Sequence, residues 1–267
     1  MATWVCGFDE SSDQNPTKHF FFVGVSAPEG DWQSFFEPAW KERVLNGLPA
    51  IDYLHMVDIL SGRWQQEHGL TRSDSRRRVD EAANVIRSMG SLFPVCVWVN
   101  TADYNAILRQ PYQPQPGQTK DLDADYMCFF HVSVVQLTLV HENPGSDLTR
   151  MDFWVEKNGK VTHHVETFHA AIAKGLPGGD NVTPLVGLFK PVDKTAIPAQ
   201  VADVIAWHAL KFENGTLDLD GQKRYWKMRT DGVGGSRGHW NQMSTDLLRR
   251  LAAAFTEAEA RGPIAGP

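Results

Sequence analysis

The sequence is poor in cysteine, and it has no long apolar run. It holds 3 cysteines in 267 residues, and Cys6, Cys96 and Cys128 lie far apart, each within an apolar stretch. This usage is typical of reduced core thiols and argues against a disulfide framework or a cysteine zinc site. No stretch approaches the roughly 18 to 20 apolar residues that a membrane span requires. The opening residues, MATWVCGFDE, have no signal-peptide pattern, so we expect a cytoplasmic protein with no membrane segment.

Several familiar catalytic motifs are also missing. The sequence has no serine nucleophile elbow, no paired-cysteine motif and no dinucleotide fingerprint. The glycine-rich segment 232–238, GVGGSRG, lacks the strand, lysine and helix of a phosphate-binding loop. We expect it to be a mobile loop that could cover a site with Arg237.

Positive charge is scarce too. The formal net charge is -6, which argues against a protein that coats nucleic acid by bulk electrostatics. It does not exclude a nucleic-acid enzyme, because metal-binding carboxylates themselves add negative charge. Local basic clusters occur at 76–78, at 224–229 and at 249–250, and we interpret them as solvated helix and loop surfaces.

The pattern of apolar residues predicts a mixed α/β fold. VCGF near the start and HFFFVGVSAP at 19–28 read as two strands of an antiparallel hairpin. From residue 93 onward, strands and helices alternate, which predicts a mainly parallel sheet with helices on both faces. We expect one domain over 1–256, with insertions near 35–72, 110–124 and 214–240 and a flexible tail at 257–267.

Acidic residues lie at the ends of two predicted strands. Asp9 and Glu10 follow the apolar strand that begins at Trp4, and Glu156 closes the strand DFWVE. A carboxylate at the mouth of a buried strand is costly unless it is paired. Each position is therefore either an ordinary polar turn or one wall of a site.

A third carboxylate lies on a predicted buried helix. The segment IPAQVADVIAWHALKF is apolar nearly all round, as expected of a helix inside a protein. Gln200 and Asp203 are three residues apart and share a face of that helix. A buried aspartate at this position needs a cation, a hydrogen-bond network or a metal. The alternative is that Asp203 is simply an acid near the N-terminus of the helix, where the helix dipole favours it.

Together, these acids are the ligands that a hard divalent cation prefers. Magnesium and manganese take oxygen ligands from carboxylates, water and substrate phosphate. Asp9, Glu10, Glu156 and Asp203 are therefore candidate ligands of Mg²⁺ or Mn²⁺, with Asp9, Glu156 and Asp203 as the catalytic set. Sequence spacing alone does not establish that they converge.

At this point the chain resembles a known family. FDESSD near the start, LHMVDILSGRW at 54–64 and PAQVADVIAW near the C-terminal part resemble, in this order, the signatures of the domain-of-unknown-function 3800 family. The resemblance extends roughly from residue 4 to residue 212. It implies a ribonuclease H-like fold, in a family whose activity is generally uncharacterised.

The resemblance also suggests roles for individual residues. Asp9 and Glu10 match the family's first-strand acids, Gln200 and Asp203 match its final-helix motif, and Glu156 takes the place of a mid-sheet acid. His55 and Asp58 match an optional middle motif and are assigned supporting roles with Gln200. The chain departs from the family at Ser12, where glycine is usual, and at Val57, where threonine is usual.

Two functions from different classes remain open at this stage. The first is a divalent-metal-dependent phosphodiesterase or nuclease, acting on a nucleic acid or a nucleotide. The second is a non-catalytic ribonuclease H-like module that binds a protein or nucleic-acid partner through its aromatic-rich insertions. The acidic residues favour the enzyme, and the low positive charge favours the module or a small substrate.

Overall fold

The computed structural model describes residues 2–12, 18–109, 124–143, 147–157, 162–163, 165–166, 169, 183–229 and 238–260. The predicted loop at 111–121, Arg237 with the rest of 230–237, and residues 261–267 lie outside the described residues. The sequence also predicts a helix over THHVETFHAAIA at 162–173, and this segment lies mostly outside the described residues as well. The division into one domain with insertions stays a prediction.

The described residues form a mixed α/β fold built on a six-stranded sheet. The strands are β1 (Ala2–Ser12), β2 (His19–Pro28), β3 (Phe93–Asn100), β4 (Leu148–Glu156), β5 (Val186–Val192) and β6 (His239–Gln242). Their spatial order is β5-β4-β1-β2-β3-β6. Strand β2 is antiparallel to both of its neighbours, and the other pairs are parallel. The predicted N-terminal hairpin in an otherwise parallel sheet is confirmed.

Helices cover both faces of this sheet. The longer ones are α1 (Arg72–Ser88), α2 (Ala124–Glu142), α3 (Ile197–Glu213), α4 (Leu219–Arg229) and α5 (Thr245–Ala260). Shorter helical pieces are Glu29–Asp31, Trp32–Phe36, Glu37–Trp40, Lys41–Leu45, Met56–Ile59, Gly62–Glu67, Thr101–Tyr104, Asn105–Arg109 and Thr183–Leu185. None of the helices in the described ranges combines the length and the apolar character needed to cross a membrane.

The sheet separates two apolar cores, as its alternating side chains require. Trp4, Cys6 and Phe8 of β1 point into the core beneath α2 and α5. Val5 belongs to the opposite core, which α1, α3 and α4 share. Residues two apart on a strand share a face. Asp9 is therefore on the same face as Val5 and Gly7, which is the α3 side of the sheet.

One sequence prediction about β1 is wrong in an instructive way. We expected the strand to leave the sheet at Asp9, yet it continues to Ser12, which pairs with Phe20 of β2. Its parallel pairing with β4 stops earlier, at Phe8 opposite Val155. Because β1 stays paired with β2 as far as Ser12, Asp9 is a strand residue and not a turn residue.

Two details of α1 also differ from expectation. The residue types predict Ser73 or Asp74 as the cap of this helix, but Thr71 is the N-cap and Asp74 completes a capping box with it. Arg78, which we took for a solvated residue, is fully buried. Its guanidinium donates hydrogen bonds to the carbonyl oxygens of Leu45 and Gly47 at 3.1 and 2.8 Å, so it stabilises the loop before α1.

Candidate carboxylate site

The carboxylate site lies where the end of β1 separates from β4. Asp9 comes directly after the last residue of β1 that pairs with β4, and Glu156 comes directly after its partner Val155. Trp154 packs in the core on the α3 side, and Glu156 shares its face because strand side chains alternate. Asp9 and Glu156 therefore stand on either side of an opening beneath α3.

A cleft of about 160 Å³ occupies this opening. Hereafter called the carboxylate cleft, it is lined by residues of β1, of β4, of α3 and of the segment that precedes α1. These residues are Asp9, Glu10, Ser11, Ser12, His55, Val57, Glu156, Asp203 and Trp207. Four of the nine side chains are acidic, so the predicted convergence of the acids occurs in the structure.

Helix α3 reaches the site because it packs unusually close to β1. A Cβ atom built on Gly7 would lie 2.3 Å from the carbonyl carbon and oxygen of Pro198, in the first turn of α3. Only glycine permits this approach. The contact brings the buried side chain of Asp203 to the α3 face of the sheet, on which Asp9 lies.

The polar residues of α3 also hold the chain that carries His55. Gln200 Oε1 accepts hydrogen bonds from Trp40 Nε1 at 2.9 Å and from the backbone N–H of Leu54 at 3.0 Å. Asp203 Oδ2 accepts one from the backbone N–H of Met56 at 2.6 Å. The residues on both sides of His55, Leu54 and Met56, are thus held by hydrogen bonds to α3. Gln200 is buried and does not line the carboxylate cleft.

Burial and neighbouring acids together make ionisation of the two aspartates costly. Burial raises the pKa of the Asp9 carboxyl well above its ordinary value, and the charge of Asp203 raises it further. Glu10 and Glu156 act in the same direction. Burial also raises the pKa of Asp203 to about 6, although the charge of His55 and the Met56 N–H lower it.

The two aspartates influence each other's ionisation. Besides burial, the charge of Asp203 raises the pKa of Asp9, and the interaction with the Asp9 side chain lowers the pKa of Asp203. Asp9 and Asp203 therefore lie on the same side of the sheet and line one cleft. Their pKa values are raised first by burial and then by the charge of Glu156 and, for Asp9, of Asp203 and Glu10, a combination found at many functional sites.

A polar cluster borders the site. Asp58 Oδ2 accepts hydrogen bonds from Tyr53 Oη at 3.1 Å and from Lys194 Nζ at 3.3 Å. His55 Nδ1 lies 3.1 Å from the same oxygen, close enough for an ion pair but poorly aligned for a hydrogen bond. Partial burial opposes ionisation, but the charges of His55 and Lys194 hold the pKa of Asp58 below its ordinary value.

The structure therefore divides the predicted residues into two groups. Asp9, Glu10, Glu156, Asp203 and His55 line the carboxylate cleft, whereas Asp58 and Gln200 lie behind it. Glu10 reaches the cleft although it is still part of β1, which shows that the cleft opens around the end of the strand.

Sequence reasoning missed three residues near the acids. Trp207 lines the cleft, and its position four residues after Asp203 on α3 was an available signal. Lys194 contacts Asp58 and is close enough to Glu156 for that charge to raise its pKa, although burial lowers it. Tyr53 lies beneath Lys194, with the ammonium 5.6 Å from the ring centroid. The local sequence around Lys194 and Tyr53 does not predict that they lie near the acids.

The donor set suits a hard divalent cation, but the ligands are not pre-arranged. Carboxylate oxygens are the ligands that Mg²⁺ and Mn²⁺ prefer. Among the described residues, no group of three or more His, Cys, Asp or Glu side chains is already spaced to hold a metal ion.

Comparison with known proteins leaves the chain without an assigned family. No family model matches it, and no curated protein matches it. Among solved structures, it is similar to a chain in the structure of the PCNA:RNase HII complex from Archaeoglobus fulgidus. That similarity has a TM-score of 0.40 at 13% identity, over 98% of this chain and 92% of that chain. The likeness is too distant to assign a fold family, an activity or a partner.

Proposed function

We propose that this protein is a divalent-metal-dependent phosphodiesterase of the nuclease type, with a ribonuclease H-like fold. The observation that carries the proposal is the convergence of Asp9, Glu10, Glu156 and Asp203 on one cleft. Three separate elements supply these acids. The mixed sheet with its antiparallel N-terminal hairpin, and the motifs shared with the domain-of-unknown-function 3800 family, also support it.

The energetic cost of the site supports a functional role. Asp9 and Asp203 are buried at 8% and 6% exposure, and no lysine or arginine is among the described residues that line the cleft. Confining like charges in this way destabilises a folded protein. Strain of this kind is typical of sites that await a cation.

Asp9, Glu156 and Asp203 would hold Mg²⁺ or Mn²⁺, with Glu10 as a further ligand. Such an ion, when bound, neutralises charge on a phosphodiester and lowers the pKa of a bound water. Asp203 is held in place by the Met56 N–H. His55, positioned beside Asp58, is suited to hold or move a proton at the edge of the site.

Metal binding tests this proposal directly. We expect Mn²⁺ or Mg²⁺ at about 100 times its Kd to stabilise the wild-type protein by about 2.7 kcal/mol, measured as a thermal shift. Asp9→Asn should abolish the shift. Asp193→Asn is the matched control, because Asp193 is an exposed acid that pairs with Lys157 at 3.1 Å outside the cleft.

Catalysis is then measured on bis(p-nitrophenyl) phosphate, a phosphodiester small enough to need only the carboxylate cleft. We expect the wild type and Asp193→Asn to release nitrophenol with Mn²⁺, and Asp9→Asn and Asp203→Asn to release none. A wild-type protein that binds neither ion and hydrolyses no phosphodiester would refute the proposal.

A further inference from the structure

A second cleft adjoins the carboxylate cleft and has the opposite charge. It has a volume of about 480 Å³, three times that of its neighbour, and we call it the arginine cleft. It lies between α1, α3, α4 and the segment at 56–65. Its polar lining includes Arg72, Arg76 and Arg224, opposed by the single acid Asp218 among the described lining residues.

The two clefts share a wall. Trp207 of α3 lines both of them, and it follows Asp203 by one helical turn. Met56 lines the arginine cleft, and its backbone N–H donates a hydrogen bond to Asp203. A ligand that fills the arginine cleft therefore lies directly beside the acids.

Two of the three arginines are only weakly neutralised within the protein. Arg76 lies 3.9 Å from Asp218, at the limit of an ion pair, and both side chains are more than half exposed. Arg72 makes no ion pair with any described residue. Arg224 pairs with Asp80 at 2.9 Å and lies 3.9 Å from Asp218, while its buried Nε atom has no hydrogen-bond partner in the described part of the chain.

The position of Arg72 and Arg76 adds to this unsatisfied charge. They are one turn apart on α1, and Arg72 is its first residue. The positive end of a helix dipole disfavours cations in the first turn, so the dipole does not offset their charge. An anion bound there would interact favourably with the arginines and with the helix.

We propose that the arginine cleft binds single-stranded nucleic acid, with backbone phosphates on Arg72, Arg76 and Arg224 and a base stacked on Trp207. This proposal extends the proposed function to a class of substrate. Cleavage of the bound strand rests on the proposed phosphodiesterase activity. The strand would pass from the arginine cleft over Trp207 into the carboxylate cleft. A positively charged groove next to an aromatic ring is the usual way to hold a single strand without reading its sequence.

Two features favour a single strand over other phosphate ligands. The volume exceeds what one phosphate group needs, and the arginines lie on two helices, α1 and α4, so that they can contact successive phosphates. The bases of a single strand expose the ring faces that stack on an aromatic side chain, whereas those of a duplex do not.

Binding is measured first without catalysis, by fluorescence anisotropy of a labelled single strand of about 10 nucleotides in EDTA. The test variant is Arg72→Gln with Arg76→Gln. The matched control is Arg249→Gln with Arg250→Gln, which removes the same charge from exposed positions on α5, beside Leu248 in the opposite core.

We expect the test variant to lose at least about tenfold in affinity, and the slope of log Kd against log salt to fall by about 1.4, or about 0.7 for each lost phosphate contact. The control should keep the wild-type slope. Trp207→Leu should weaken binding with the slope unchanged, whereas Trp226→Leu, which changes an aromatic residue outside both clefts, should not. The proposal would be overturned if the test variant and the control variant lost affinity equally, or if the protein bound a duplex more tightly than a single strand.

A hydrolysis assay separates this inference from the proposed function. With Mn²⁺, the Arg72 and Arg76 variant should lose more activity on the oligonucleotide than on bis(p-nitrophenyl) phosphate, whereas the Arg249 and Arg250 control should keep the wild-type rate on both substrates. A wild type that binds the strand yet cleaves neither substrate would refute the phosphodiesterase and leave a non-catalytic nucleic-acid-binding module. A wild type that cleaves the small diester but binds no strand would refute the arginine cleft alone.

Discussion

Gly7 of β1 lies against the backbone of Pro198, the second residue of α3, with no space for a side chain between them. A Cβ atom there would be 2.3 Å from the Pro198 carbonyl, far inside the contact distance of two non-bonded atoms. This contact sets the distance between the strand that carries Asp9 and the helix that carries Asp203. The geometry of the site therefore depends on a residue with no side chain.

Gly7→Ala should separate the strand from the helix. Because backbone atoms must move, we expect a loss of about 1 to 3 kcal/mol in the free energy of unfolding, measured by urea denaturation. Gly30→Ala is the control, because a Cβ atom at Gly30 meets nothing within 4 Å. Equal stability of the two variants would show that the contact between β1 and α3 does not constrain the fold.

The metal-free protein should be stabilised by removal of the buried charge on Asp203. The pKa of this carboxyl is higher in the folded protein, at about 6, than its ordinary value of about 3.9. Between these values the folded state binds more protons than the unfolded state, so this contribution to stability is lost as pH rises through the folded pKa. Asp203→Asn, which stays neutral and can still accept from Met56, escapes this loss.

We therefore expect the Tm of Asp203→Asn minus that of the wild type, in EDTA, to increase from about pH 5 to about pH 8. The comparison between variants matters because other groups also titrate: burial lowers the pKa of His131 and His169, which contributes a trend of opposite sign. Asp193→Asn should show no such pH-dependent gain. A difference that stays constant with pH would mean that Asp203 titrates normally.

Asp58 should matter less for metal binding than Asp9. Its carboxylate is already engaged by Tyr53 and Lys194 and lies outside the described lining of the carboxylate cleft. We expect Asp58→Asn to weaken Mn²⁺ binding by less than about tenfold, or about 1.4 kcal/mol, in isothermal titration calorimetry. Complete loss of binding, equal to that of Asp9→Asn, would place Asp58 among the ligands.

Gln200 should contribute to stability because it accepts hydrogen bonds from Trp40 and Leu54. Gln200→Leu would leave two buried donors, Trp40 Nε1 and the Leu54 N–H, without their acceptor. Each such donor costs about 1 to 3 kcal/mol, so we expect a loss of several kcal/mol in urea denaturation. Gln66→Leu, at an exposed position, is the control and should change stability little.

The sequence alone predicted the elements that carry the acids and which residues are polar within them. The two-residue period of β1 and β4 and the apolar circumference of α3 are local patterns. They predicted the hairpin, the buried helix and the unusual positions of Asp9, Glu156 and Asp203. The family resemblance added the expectation that these acids act together.

Only the tertiary structure decided what surrounds those acids. Pairing with β2 carries β1 past Asp9, and this depends on residues distant in the chain. Lys194 meets Asp58 across 136 positions, and Arg76 and Arg224 line one cleft from separate helices. The burial of Arg78 depends equally on carbonyl oxygens of an irregular loop. Contacts of this kind follow from how the elements pack, and no local periodicity records that packing.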